Sequence, residues 1–519
     1  MKRKLALLLI AVLVFGTIMS GCTSGSNDAE SGDSAAGEQT GEKVAKDTIV
    51  IVTESEPETL DPASANTDAI ALTLGMIGDH LFDLQADGSI TPGGIVENYE
   101  QIDDLTVQFK IKSGLKFSDG SDLTTEDIVW ELGRLKDAPR SSSNFAFVNI
   151  DETEIVDDTT FILKFNQAWA PYQNTLSTGR GTIVSKDAFE SMGEANFGRA
   201  PVTSGPYKVK EWIPGTSITL VRNEYYWGEP AKTETIIIKF VPEATSRVIE
   251  LETMQADIAY YIEGNDAARV DALDGYHIES GDAYRNVILT FSMQDDILKN
   301  QKVRQALCYA INLEALVPAA SDNLGTLNLG MISIPTAGWT EMEPWPYDVE
   351  KAKTLLTEAG YPDGFTIDLH YDGTALYGRI CSIIQSMWAE VGVTANIVSS
   401  ALATYDASNN GHFQACIRDI TASEISNEFI ICESSFGSRL QGNDTNLDNM
   451  LLELRTYYYD DPDRNDFIKQ ISQYIYDQKY YESLMNMPIV YAISDKLEGF
   501  EFHPAIDHMK HIADWVVYE

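Results

Sequence analysis

Asp348-Val349-Glu-Lys-Ala352-Lys-Thr-Leu355-Leu356-Thr-Glu-Ala359-Gly360-Tyr-Pro362 reads as a helix with both ends marked. Val349, Ala352, Leu355, Leu356 and Ala359 recur at the helical spacing and share one face. Asp348 is an N-capping residue type, Gly360 stops the helix by admitting a left-handed backbone, and Pro362 prevents its resumption. Ile380, Ile383, Ile384, Met387, Trp388 and Val391 repeat the pattern and end at Gly392. Other segments alternate with period two, the strand signature. Leu105, Val107, Phe109 and Ile111 do so, as do Phe161, Leu163 and Phe165, and Thr48–Val52 is a short β run. The run Ile236 to Val241 predicts a strand buried on both faces. Helices and strands interleave along the chain, which predicts an α/β fold of mixed sheets flanked by helices.

At 519 residues the chain exceeds the about 250–300 at which single cores stop growing, so more than one domain is expected. The 37 cations against 79 anions give a formal charge of −42, which argues against nucleic acid as a partner because a polyanion would be repelled. Besides Cys22 there are Cys308, Cys381, Cys416 and Cys432, spread without a Cys-x-x-Cys pair. Buried thiols are expected there, with a Cys416–Cys432 bridge as the alternative. No cofactor or metal is expected. His503, His508 and His511, with Asp507 and Asp514 nearby, read as surface histidines.

The N-terminus begins Met1-Lys-Arg-Lys4, runs apolar from Leu5 to Ile18, and reaches Ser20-Gly21-Cys22. A charged head and an apolar run shorter than the about 20 residues of a membrane span read as an export signal over residues 1–21. Small residues before a cysteine resemble the lipobox of bacterial lipoproteins, with Met19 standing where that motif usually has Leu, Val or Ile. The resemblance implies lipidation of Cys22 and a membrane attachment on the extracytoplasmic face. Residues 22–46, rich in Ser, Gly, Asp, Glu and Ala, read as a flexible tether.

Four stretches, in order, carry a family resemblance. They are Glu58-Thr59-Leu60-Asp61-Pro62; Phe109 to Gly120 running into Leu123-Thr124-Thr125-Glu126-Asp127-Ile128-Val129; Ser204-Gly205-Pro206-Tyr207 with Arg222 to Trp227; and Val303-Arg304-Gln305-Ala306-Leu307 with Tyr309-Ala310-Ile311-Asn312. From Asp47 onward the chain resembles the extracytoplasmic solute-binding proteins of the peptide/nickel ABC-transporter family. Most of these residues have a structural sense of their own: Asp119-Gly120 suits a tight turn, and Thr124 with Asp127 suits a capping box.

The resemblance implies a bilobal periplasmic-binding-protein-like fold (type II) with a hinge and three discontinuous domains. Lobe one would take residues 47–84, 201–291 and 486–519, its inserted domain 85–200, and lobe two 292–485. It also implies a monomer that captures a short peptide and passes it to ABC permease subunits. Alternatives are a nickel chelate, a modified amino acid or an oligosaccharide. A secreted hydrolase is the alternative from another class, although no His-Glu-x-x-His, Gly-x-Ser-x-Gly or phosphate-loop motif is present.

In peptide-binding relatives an aspartate of lobe two meets the ligand's amine, and its place here falls on Ser423, within Arg418-Asp419-Ile420-Thr421-Ala422-Ser423-Glu424. Asp419 or Glu424 would substitute, with Arg418 beside them. Tyr377 and Arg379 stand where some members contact the ligand, and an arginine fork suits a carboxylate. Asn66 and Thr67 correspond to the ligand loop of lobe one, and Phe145 and Tyr405 are placed by position as aromatic contacts.

Overall fold

A computed structural model describes residues 44–64, 67–142, 144–399, 413–423, 429, 432, 444–506 and 509–519. Its frame is an 11-stranded mixed sheet. From one edge the strands run Val393–Ser399, Phe365–Tyr371, Ala415–Thr421, Tyr276–Phe291, Tyr481–Ser494, Ile258–Tyr260, Thr48–Thr53, Thr235–Phe240, Ser217–Arg222 and Tyr207–Ile213. Thr48–Thr53 is parallel to both of its neighbours, and Phe365–Tyr371 is parallel to both of its own. Parallel neighbours need a crossover, which helices supply. Ala244–Glu252 leads from Thr235–Phe240 to Ile258–Tyr260, and Ala375–Ala389 joins Phe365–Tyr371 to Val393–Ser399.

The two long central strands tie the halves together. Residues 276–282 of Tyr276–Phe291 pair with 488–494 of Tyr481–Ser494, and residues 286–290 pair with 481–486. The register shifts between Asp282/Asn286 and Val287/Ile288, irregularities of the kind that bend a strand. On one side of this break Ile49, Ile70, Tyr207, Ile236, Tyr491 and Trp515 share a core. On the other, Leu289, Leu307, Ile384, Trp388 and Leu484 share another. A third core packs Phe109, Phe161, Leu132 and Phe145 against a four-stranded antiparallel sheet, and draws in Leu81 and Phe82.

The expected signals fold as local chemistry requires. The Asp348 carboxylate accepts the Lys351 N–H at 2.8 Å and caps Val349–Glu358. Thr124 and Asp127 close a capping box on Thr125–Asp137. Two readings need correction. Leu105 lies outside its strand and is 42% exposed, since pairing starts at Thr106. Thr235–Phe240 is buried on one face only: Ile236 and Ile238 are buried, while Lys239 opposite reaches out to Glu250 at 2.8 Å and to the Gln255 carbonyl at 3.1 Å. Cys308, Cys381, Cys416 and Cys432 are all buried thiols, as expected, and no bridge links Cys416 to Cys432.

Candidate functional site

Just past the register break, Arg285 stands opposite Thr421 and Val287 opposite Asp419. Arg285 and Asp419 are therefore diagonal neighbours on one face of the sheet, within reach of a long side chain. The Arg285 Nε–H donates to Asp419 Oδ2 at 2.8 Å, and Nη2 donates to the Tyr377 hydroxyl at 3.4 Å. Tyr377 is buried in the first turn of Ala375–Ala389. The ion pair remains about one-third open, at 33% for Arg285 and 31% for Asp419. Burial alone would raise the Asp419 carboxyl, but the Arg285 guanidinium outweighs it and holds Asp419 below the usual range. Burial also works against the charge on Arg285, and Asp419 in turn outweighs that. The Tyr377 phenol is pushed up, first by burial and then by the Asp419 charge.

Facing this pair from the other core is Asp68, the exposed first residue of Asp68–Ile77. Its charge acts on Arg285 and on Tyr491. The Tyr261 hydroxyl donates to Asp68 Oδ2 at 2.6 Å. Tyr261 has φ 57, a left-handed conformation disfavoured for a bulky residue. Arg247 steadies this turn: it is buried, its Nη2 donates to the Tyr261 carbonyl at 2.6 Å, and its Nη1 donates to the carbonyls of Val241 at 2.9 Å and Pro242 at 2.8 Å.

A third contact links the end of Ala415–Thr421 to the short helix Tyr172–Thr175. Asn174 Nδ2 donates to Ser423 Oγ at 3.0 Å, and Ser423 Oγ lies 3.2 Å from Asn174 Oδ1. Nearby, the Ala170 N–H donates to the Arg455 carbonyl at 2.8 Å.

Of the residues named from the sequence, Tyr377 and Asp419 are brought together, with Arg285 between them. Arg379 belongs to a different neighbourhood. Its Nε donates to the Ala320 carbonyl at 2.8 Å and its guanidinium pairs with Asp322 at 3.6 Å, because two residues along a helix turn a side chain to another face. Arg418 alternates to the opposite face of the strand from Asp419 and is buried. Thr67 is the N-cap residue before Asp68–Ile77 and makes no side-chain cap bond. Phe145 is wholly buried in the third core, so a direct ligand contact through it does not fit this arrangement. Cys22, Asn66, Tyr405 and Glu424 lie outside the described residues, as do Asp507 and His508. Among the described residues no group of three His, Cys, Asp or Glu side chains is placed to hold a metal ion.

Arg285, Asp68 and Tyr261 went unnoticed in the sequence. Arg285 did carry a signal, being a lone cation in Ala283-Tyr284-Arg285-Asn286-Val287-Ile288-Leu289. Asp68 and Tyr261 are 193 positions apart, and only folding joins them.

Residues 91–439 match the model of the bacterial extracellular solute-binding proteins, family 5 Middle. The chain is 30% identical over 362 residues to the glutathione-binding protein GsiB of Salmonella typhimurium, covering 68% of this chain and 70% of that one. The GsiB of Escherichia coli O157:H7 is likewise 30% identical over 362 residues. Among solved structures, the oligopeptide-binding protein AppA of Bacillus subtilis, in complex with a nonapeptide, superposes with a TM-score of 0.78 at 22% identity, covering 92% of this chain and 100% of that one. The periplasmic binding protein DppA of Helicobacter pylori, in complex with the peptide STSA, gives 0.78 at 19% identity over 92% and 99%.

Proposed function

The chain belongs to the bacterial extracellular solute-binding proteins of family 5, and from that membership we propose that it captures a short peptide or peptide-like solute and hands it to an ABC permease. The observation that carries this reading is the Arg285–Asp419 pair, one-third exposed between two separate cores at the break of the central strands. Clefts between domains are common ligand sites, and an arginine fork holds a carboxylate in a defined plane. The glutathione of GsiB, the nonapeptide of AppA and the STSA of DppA are all peptide-like ligands, which supports the ligand class.

In this reading lobe one comprises residues 47–84, 201–291 and 486–519, residues 85–200 form its inserted domain, and 292–485 form lobe two. The separation of the cores about the register break supports the division, while the packing of Leu81 and Phe82 moves the inserted domain's start a few residues earlier. The protein binds as a monomer and returns its ligand unaltered. Melting curves with glutathione and with free tripeptides test the proposal, because a ligand that binds only the native state raises Tm by mass action. Chromatography of the same mixtures tests turnover: recovery of intact ligand supports a receptor, and cleavage products would establish the hydrolase alternative.

The anchor is part of the proposal. Cys22 carries acyl chains that hold the protein at the membrane, and no helix among the described residues is long and apolar enough to cross one. Cys22→Ser should release the protein into the soluble fraction, since acyl burial is what attaches it. Retention of that variant in the membrane would assign the anchoring to the apolar run of residues 5–18 instead.

A further inference from the structure

We propose that Asp68, buttressed by Tyr261, receives a cationic group of the ligand, so that the captured solute is a zwitterion held between Asp68 and Arg285. The inference rests on the receptor reading above and adds the polarity of the ligand. Three observations lead to it.

First, the position from which relatives are expected to offer an acid is Ser423, and Ser423 is occupied with Asn174. Its nearby substitute, Asp419, already neutralises Arg285. An ammonium group competing for Asp419 would have to displace a charge-assisted hydrogen bond of 2.8 Å.

Second, Asp68 has no cationic partner among the described residues, and its one side-chain bond comes from the Tyr261 hydroxyl. A carboxylate has about four lone-pair sites, so most of its accepting capacity faces outward. It sits at the first position of Asp68–Ile77, where the helix N-terminus favours negative charge and keeps it ionised. Enclosing such a carboxylate without a counter-charge is costly, and a ligand ammonium removes that cost. Glu54 adds to the negative field around Tyr261.

Third, Arg285 spends its Nε on Asp419 and one Nη2 hydrogen on Tyr377. A guanidinium has five N–H donors, which leaves donors for a ligand carboxylate. Asp68 and Arg285 lie on different cores yet feel each other's charge, so a ligand between them meets an acid on one side and a guanidinium on the other. The phenol that orients Asp68 is itself fixed, because buried Arg247 holds the Tyr261 turn by three carbonyls.

The test is native mass spectrometry on the mature protein. It is offered an equimolar set of di- to nonapeptides in free, N-acetylated and C-amidated forms, together with glutathione and N-acetylglutathione. The parent should retain free forms at least tenfold over their acetylated counterparts. Asp68→Asn should lose that preference at least tenfold while its unliganded Tm stays near the parent's. Asp68→Glu should restore part of it, and Tyr261→Phe should weaken it several-fold. Acetylated and free forms retained alike by the parent, or a preference unchanged in Asp68→Asn, would overturn the assignment to Asp68 while leaving the receptor reading in place. Retention of none of these ligands by the parent would overturn both. If Asp68→Asn is unfolded, the parent's own free-to-acetylated ratio and the Tyr261→Phe result decide the matter.

Discussion

Arg304, in the stretch Val303 to Leu307 that helped mark the family, is a tie within the fold. It is buried and donates to the carbonyls of Leu298 at 2.8 Å, Lys299 at 3.1 Å, Gln478 at 2.6 Å and Lys479 at 2.8 Å. Burial pulls its guanidinium down to about 10, still charged at neutral pH. Arg304→Gln strands several of these acceptors and should cost about 3 kcal/mol or more in urea unfolding. Glu131 illustrates the opposite effect of burial. Its side chain is wholly buried against Arg134, which also grips Asp61 at 2.7 Å. Desolvation outweighs the pull of Arg134 and raises the Glu131 carboxyl from 4.5 to about 7. A raised acid means that the folded state binds more protons than the unfolded one between those pKa values. The contribution of Glu131 is therefore fully present below pH 4.5 and is lost as pH rises toward about 7. Unfolding curves from pH 4.5 to 8 should show the parent losing stability relative to Glu131→Gln, by at most about 1.4 kcal/mol per pH unit. Parallel curves would show that the carboxyl is not raised.

At the scale of elements, two local devices set where segments start and turn. The Thr124–Asp127 capping box begins Thr125–Asp137, the helix that carries Glu131 and Arg134. Thr124→Ala removes a side-chain acceptor from that helix start and should cost about 1 kcal/mol in thermal or urea unfolding. The second device is a close approach. Gly364 has φ +75, and a Cβ there would lie 1.9 Å from the Gly392 carbonyl oxygen. This contact brings together the starts of the parallel strands Phe365–Tyr371 and Val393–Ser399, which pair from Phe365↔Val393 onward. Gly364→Ala must push that backbone aside in an unfavourable conformation, and its effect should be larger than that of Thr124→Ala in the same assay.

For the whole molecule, the central strands are the one place where both large cores share continuous backbone, and their pairing is irregular there. A bend confined to that break would open and close the site without disturbing either core. Small-angle scattering of the mature protein should give a smaller radius of gyration with bound ligand than without. Identical profiles at saturating glutathione, under conditions where binding is measured independently, would count against closure. The Asn174–Ser423 contact is positioned to hold the closed arrangement, and Ser423→Ala should speed ligand dissociation several-fold with little change in unliganded Tm.

What the sequence alone settled about this chain is local or periodic. Helix starts at Asp348 and Thr124, stops at Gly360 and Gly392, and the interleaving of periods all follow from chemistry within a few residues, so the α/β class was legible. The ordered motifs gave the family for the same reason, being short strings that specify turns and ties. Tyr377 and Asp419 were found because each lies inside such a string. Neither periodicity nor motif order could supply the partners of those residues. Arg285 meets Asp419 across 134 positions, and Asp68 meets Tyr261 across 193, through strands whose order in the sheet is not their order in the chain. Phe145 shows the converse, an aromatic whose position suggested a ligand contact and whose surroundings made it core. A side chain's role follows from what faces it, and in a sheet built from discontinuous segments that is decided only when the chain has folded.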